Sequence, residues 1–138
     1  MKKQGSTSDF TDDRNRELHR HFMDILRTSR GVALRDMFGM AASRPSSRFW
    51  VSEHRAAIVV SAMLQGRPLG RINQKRREMY EEITRRVKRL LAHHPDMTLL
   101  AACCEVIYQE APEFYLTDES ARCIIYRTRK CRRHLQAI

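Results

Sequence analysis

The chain has 138 residues, 42% of them hydrophobic, and carries 26 lysines and arginines against 16 acids, a formal charge of +10. That length suits one domain with an adequate core, and the few glycines and prolines exclude a collagen-like or low-complexity chain. The most apolar stretch, residues 56–64, falls far short of the ~20 residues a membrane-spanning helix needs.

Residues 1–13 are polar and lack an apolar centre, so they are expected to form a disordered arm rather than a secretory leader. A first unit is then expected over residues 14–66. Leu18, Phe22, Ile25 and Leu26 recur at helical spacing around Arg16-Glu17-Leu18. A shorter apolar stretch, 32–42, follows, and Pro45 marks a turn. Phe49-Trp50-Val51-Ser52-Glu53 leads into a third helix, 53–64, which is apolar nearly all round and so expected to be buried. Ser52 has the signature of an N-cap, and the aromatic and aliphatic residues before it can staple the helix entry. Gly66 is expected as a C-cap, with 66–70 as the connector.

A second unit is expected over residues 67–138. Arg77-Glu78-Met79 opens a long helix with Met79, Ile83, Val87, Leu90 and Leu91 on one face. Asp96 or Thr98 can cap a short helix within 97–108, and Pro112 marks the next turn. Phe114-Tyr115-Leu116-Thr117-Asp118 then enters the last helix with Thr117 as N-cap.

The two entry phrases lie 65 residues apart and agree without a gap. Each runs aromatic pair, aliphatic, hydroxyl, acid, then an alanine (Ala56, Ala121) and a β-branched pair (Val59-Val60, Ile124-Ile125). With no cleanly alternating strand candidate, the expected fold is all-α: two related three-helix units, packed as one compact domain.

Charge points towards function. Residues 67–89 hold nine basic side chains and three acids, and residues 122–138 hold six basic side chains and no acid. Such an excess favours a polyanionic partner. On a helical wheel Arg122, Tyr126, Arg129 and Arg133 fall within about 60° of one another with Lys130 beside them, while Ala121, Ile124, Ile125, Cys131 and Leu135 make the opposite, core face. Arg127 and Arg132 add to the charge of the same helix. This row is expected to find no acidic partner within the helix, so that an external anion would relieve its repulsion. Lys75, Arg76 and Arg77 form a second candidate surface, suited to backbone phosphates. Nearby, Glu78, Glu81 and Glu82 are placed to neutralise part of the Arg85–Arg89 charge.

Residues 97–133 resemble a helix-turn-helix of the DNA-binding superfamily. Leu99-Leu100-Ala101 through Val106-Ile107 would be the first helix, 109–116 the turn, and 117–133 the recognition helix. The resemblance implies duplex DNA as partner, with a helix entering the major groove. The turn is longer than the usual three or four residues and has no glycine.

Motifs for chemistry are missing. His19, His21, His93 and His94 and the four cysteines, 103, 104, 123 and 131, show no C-x-x-C or H-x₃-H spacing, so neither a metal nor a disulfide framework is expected. No phosphate loop, nucleophile elbow or H-E-x-x-H occurs, and neither catalysis nor a cofactor is expected. Tyr80, Tyr108 and Tyr126 are the only candidates for exposed stacking, which favours duplex DNA over RNA. The sequence therefore predicts a cytoplasmic, non-enzymatic nucleic-acid-binding protein, a transcriptional regulator or accessory factor. The alternative is an adaptor whose basic face docks an acidic protein. A homodimer is left open.

Overall fold

The computed structural model describes the backbone of residues 8–137 and the side-chain environments of residues 10–128. Six helices follow one another: α1 (Ser8–Thr28), α2 (Leu34–Ala42), α3 (Glu53–Leu64), α4 (Gln74–His93), α5 (Leu99–Ile107) and α6 (Asp118–Ala137). The expected all-α class is what the chain adopts.

Most helix limits follow from local chemistry. Ser52, Thr98 and Thr117 accept the backbone N–H of Arg55, Ala101 and Ser120, each at 3.1 Å, as N-caps do. Asn73, which the sequence pattern did not single out, does the same for Arg76 at 2.8 Å. Gly66 closes α3 at φ +70°. Its N–H donates to Met63 O (3.1 Å) and that of Arg67 to Ala62 O (2.9 Å), the paired bonds of a Schellman stop.

The six helices divide into two groups, and the division crosses the sequence units. α1 and α2 pack against each other and against α6, while α4 and α5 pack against each other and against α3. Each unit's third helix thus completes the other unit's core. One core joins Leu18, Phe22, Ile25, Met37, Phe38 and Ala41 to Ala121, Ile124 and Ile125. The other joins Ala56, Val59 and Val60 to Met79, Ile83, Val87, Ala102, Cys103, Val106 and Ile107.

The two entry phrases make the crossing. Successive side chains of an extended segment point to opposite sides, so Phe49 enters the α3–α4–α5 core and Trp50 enters the α1–α2–α6 core. The second phrase alternates in the opposite sense: Phe114 joins Trp50's core and Tyr115 packs against Phe49's. Trp50 stacks on Phe114 at 6.4 Å and Phe49 on Tyr115 at 6.2 Å. The aromatic pairs therefore tie the halves together, while the aliphatic Val51 and Leu116 stay with the cores of the helices they precede. Tyr115 takes a left-handed φ of +57° to do so.

The offset of 65 holds well beyond the phrases. α2 buries Met37, Phe38, Ala41 and Ala42, and α5 buries the residues 65 positions on, Ala102, Cys103, Val106 and Ile107. In the long helices buried Leu18 answers to Ile83 and Phe22 to Val87. Arg16-Glu17-Leu18 and Arg77-Glu78-Met79, which look alike in sequence, are thus one helical turn out of register with this offset.

Three further expectations need correction. Residues 8–13 belong to α1 rather than to an arm, because Phe10 is buried 6.1 Å from the Trp50 ring; residues 1–7 lie outside the described residues. α3 is not buried all round: Ile58 and Leu64 are 46% and 38% exposed, since only α4 and α5 cover it. Tyr80 is a core residue, 1% exposed, and no stacking platform.

Candidate nucleic-acid interface

α6 is held by its inner face. Ala121, Ile124 and Ile125 lock it onto α1 and α2, which leaves Arg122, Tyr126 and Arg127 on the outside. A recognition helix needs bracing by a second helix; α5 lies in the other helix group, and α1 and α2 supply the brace instead. Near its start α6 crosses α2 so closely that a Cβ added to Gly39 would collide with the Asp118 carboxylate.

The basic row is not free of internal partners. Glu119, one turn back, receives two hydrogen bonds from the Arg122 guanidinium, one of them from Nε at 3.2 Å. This pairing raises the Arg122 pKa above its usual value and corrects the expectation that the row lacks an acid. Tyr126 is 48% exposed, with its ring 5.7 Å from Phe38, itself stacked at 5.0 Å on Phe22. The ring is thus fixed on the core while half of it meets solvent. Arg127 lies on the rim of a cleft of about 1160 Å³ between α1 and α6, whose lining mixes the basic Arg16, Arg20 and Arg48 with the acidic Asp12, Asp13 and Glu17. The side chains of Arg129, Lys130, Arg132 and Arg133 lie outside the described residues; their backbone continues α6 to Ala137.

The second basic surface separates into spent and unspent charges. Lys75 donates to Glu113 at 2.9 Å, which raises its pKa, so it serves the fold. Arg76 and Arg77 are exposed and make no ion pair among the described residues. Further along α4 a single acid, Glu82, holds both Arg85 (3.0 and 2.6 Å) and Arg86 (2.7 Å), and Glu78 and Glu81 take no part. Arg86 also bonds Glu110 O at 2.9 Å and lies 4.9 Å over the Phe49 ring. Lys88 and Arg89 remain exposed.

Sequence reasoning missed Arg14. It sits half-buried on α1, its Nε donates to Asn15 at 3.1 Å, and it has no ion pair among the described residues. Burial and the charge of Arg76 lower its pKa. Residues 14 and 76 are far apart in sequence, and no spacing rule connects the charge of one to the other.

Other chemistry has no assembled site. Among the described residues no three His, Cys, Asp or Glu side chains converge as metal ligands, and no helix is long and apolar enough to cross a membrane. No protein-family model, curated protein or solved structure matches the chain.

Proposed function

We propose that the protein binds nucleic acid without catalysis, duplex DNA before RNA, and serves as a transcriptional regulator or accessory factor. The observation that carries this reading is the basic charge left exposed without an ion pair among the described residues, which includes Arg76, Arg77 and Arg127, with Tyr126 half-exposed next to Arg127 in the chain. Phosphates supply the missing counter-charge, and Tyr126 can add a hydrogen bond to a phosphate or a stacking contact. Arg129, Lys130, Arg132 and Arg133 extend the basic content of the same helix.

The test is fluorescence anisotropy of labelled 30-mers of duplex DNA, single-stranded DNA and duplex RNA, across ~50–300 mM salt. Tight duplex-DNA binding with a steep salt slope is expected. Arg127→Ala should lower affinity by about 1–3 kcal/mol and relax sequence preference if it meets a base; against a phosphate it should lower affinity uniformly and reduce the salt slope by about one. Flat traces on all three ligands would overturn the reading. The adaptor alternative then gains weight from Ile58 and Leu64 on α3 and Leu100 on α5, which are exposed apolar side chains on neighbouring helices.

A further inference from the structure

We infer that two copies of the chain associate through the face formed by α3 and α5, with their α3 helices antiparallel about a two-fold axis near Ser61. The inference goes beyond the nucleic-acid reading and does not rest on it.

The face carries large apolar side chains in solvent. Ile58 and Leu64 on α3 and Leu100 and Tyr108 on α5 are 46%, 38%, 53% and 53% exposed. The two helices pack against each other, and the Tyr108 hydroxyl donates to Glu53 at 2.9 Å, so the end of α5 lies beside the start of α3. Glu53, Ala57, Ser61 and Leu64 recur at helical spacing along one side of α3, and Leu100, Cys104 and Tyr108 along one side of α5. Ala57, Ser61 and Cys104 are half-buried and small, so a partner helix can approach closely between the larger side chains.

Across the seam between the two halves, the residues 65 positions from Ala57, Ser61 and Leu64 are Arg122, Tyr126 and Arg129, and Arg35 answers to Leu100. The same pair of helices thus carries arginines in one half and apolar or small residues in the other. A contiguous apolar face of this kind suits a protein contact rather than a phosphate contact.

Charge selects the occupant. The chain carries +10, so a second copy is repelled from its basic surfaces, whereas an acidic protein would be drawn to them. α3 and α5 instead hold two acids, Glu53 and Glu105, and one arginine, Arg55. The face is also self-complementary. α3 opens with Glu53 and is followed at its far end by the exposed Arg67. Two α3 helices laid antiparallel about Ser61 bring each Leu64 over the small Ala57 of the other copy, and each Glu53 towards the other copy's Arg67. These are the reciprocal contacts of an isologous dimer. With α3 only about 18 Å long, the contact sits at the small end of specific interfaces, and a Kd on the order of 10–100 μM is expected.

The test is sedimentation equilibrium of the full chain without nucleic acid, from about 5 μM to about 1 mM, at ~0.15 and ~0.5 M salt. The mass should rise from 16.3 kDa towards twice that value. Added salt should strengthen association by screening the repulsion of the basic chains, the reverse of its effect on DNA binding. Ser61→Arg and Leu64→Glu should each leave a monomer, with wild-type helix content by circular dichroism because neither side chain belongs to a core. Glu53→Lys and Arg67→Glu should each weaken association about tenfold. Mixed in equal amounts, these two variants should associate as wild type does, since a mixed pair has opposite charges at both contacts. A wild-type monomer at every concentration and salt overturns the inference, including the case in which a different protein covers this face. A dimer that Ser61→Arg and Leu64→Glu leave intact overturns the α3–α5 face as its site. A dimer on this face with no recovery on mixing overturns the antiparallel register.

Discussion

Ser46 and Ala111, 65 positions apart, donate their backbone N–H groups to each other's carbonyls at 2.9 and 2.8 Å. The flanking bonds obey the same exchange: Phe49 N–H reaches Ile107 O at 2.8 Å and Phe114 N–H reaches Ala42 O at 2.9 Å. A residue that pairs with its own counterpart marks a local two-fold axis. Around that axis α3 and α6 trade places, so neither half owns a complete core.

That exchange predicts how the chain comes apart. Cut in the 66–70 connector, each fragment lacks the helix that closes its core. Circular dichroism should show each fragment largely unfolded alone, with helical signal recovered on mixing in equal amounts. A natively helical 1–67 fragment would contradict the interlocked arrangement.

Trp50 depends on Ser46. Its Nε1–H donates to the buried Ser46 Oγ at 2.6 Å. Ser46→Ala leaves that donor unsatisfied in the core and should cost about 1–3 kcal/mol. Trp50→Phe removes the donor, so the double variant should lose less than the sum of the two singles. Denaturant unfolding of the four proteins measures the coupling.

Arg48 works as a structural cation. Its guanidinium lies 4.5 Å from the Tyr108 ring and 5.4 Å from that of Trp50, and it donates to Phe49 O at 3.0 Å and Val51 O at 2.8 Å. Tyr108 is in turn bonded to Glu53 at 2.9 Å. Arg48→Ala should destabilise by about 1–2 kcal/mol. Arg48→Lys should recover only part of this, since an ammonium lacks the planar fork.

His21 should give the protein an acid-sensitive component. Burial, with help from Arg44, lowers its pKa below the ordinary 6.5, against opposing pulls from Glu17 and Asp24. The unfolded chain therefore binds the proton more readily, and this contribution to stability is lost as pH falls below about 6.5. Its ring meets Phe114 edge-on at 5.6 Å, so His21→Phe keeps an aromatic contact. Thermal melts from pH 7 to 5 should fall less steeply in the variant.

Cys103 should be silent until the protein unfolds. It is fully buried, and burial pushes its pKa to about 11. Native protein at pH 8 should therefore leave Cys103 unalkylated by iodoacetamide, as read by peptide mass spectrometry, and denaturant should expose it. Rapid native labelling would mean that the α3–α4–α5 core opens locally.

Much of this fold was legible locally. Caps at Ser52, Thr98 and Thr117, the Gly66 stop and the apolar faces of α4 and α5 follow from bonds and spacings within a few residues. Phe10 was misjudged because one aromatic in a polar stretch gives no period, and its partners Arg48 and Trp50 lie far along the chain. The candidate interface was legible as charge on α6 and at the start of α4. Which charges remain unpaired was not, since Lys75 is neutralised by Glu113, far along the chain.

The sequence by itself determined the helical class, the caps at Ser52, Thr98 and Thr117 and the recurrence of one entry phrase, because capping and amphipathic period are short-range properties. Only the tertiary structure decided that the third helices are exchanged. In each phrase two adjacent aromatics must point to opposite sides of an extended segment, and burying both requires a core on either side of the seam.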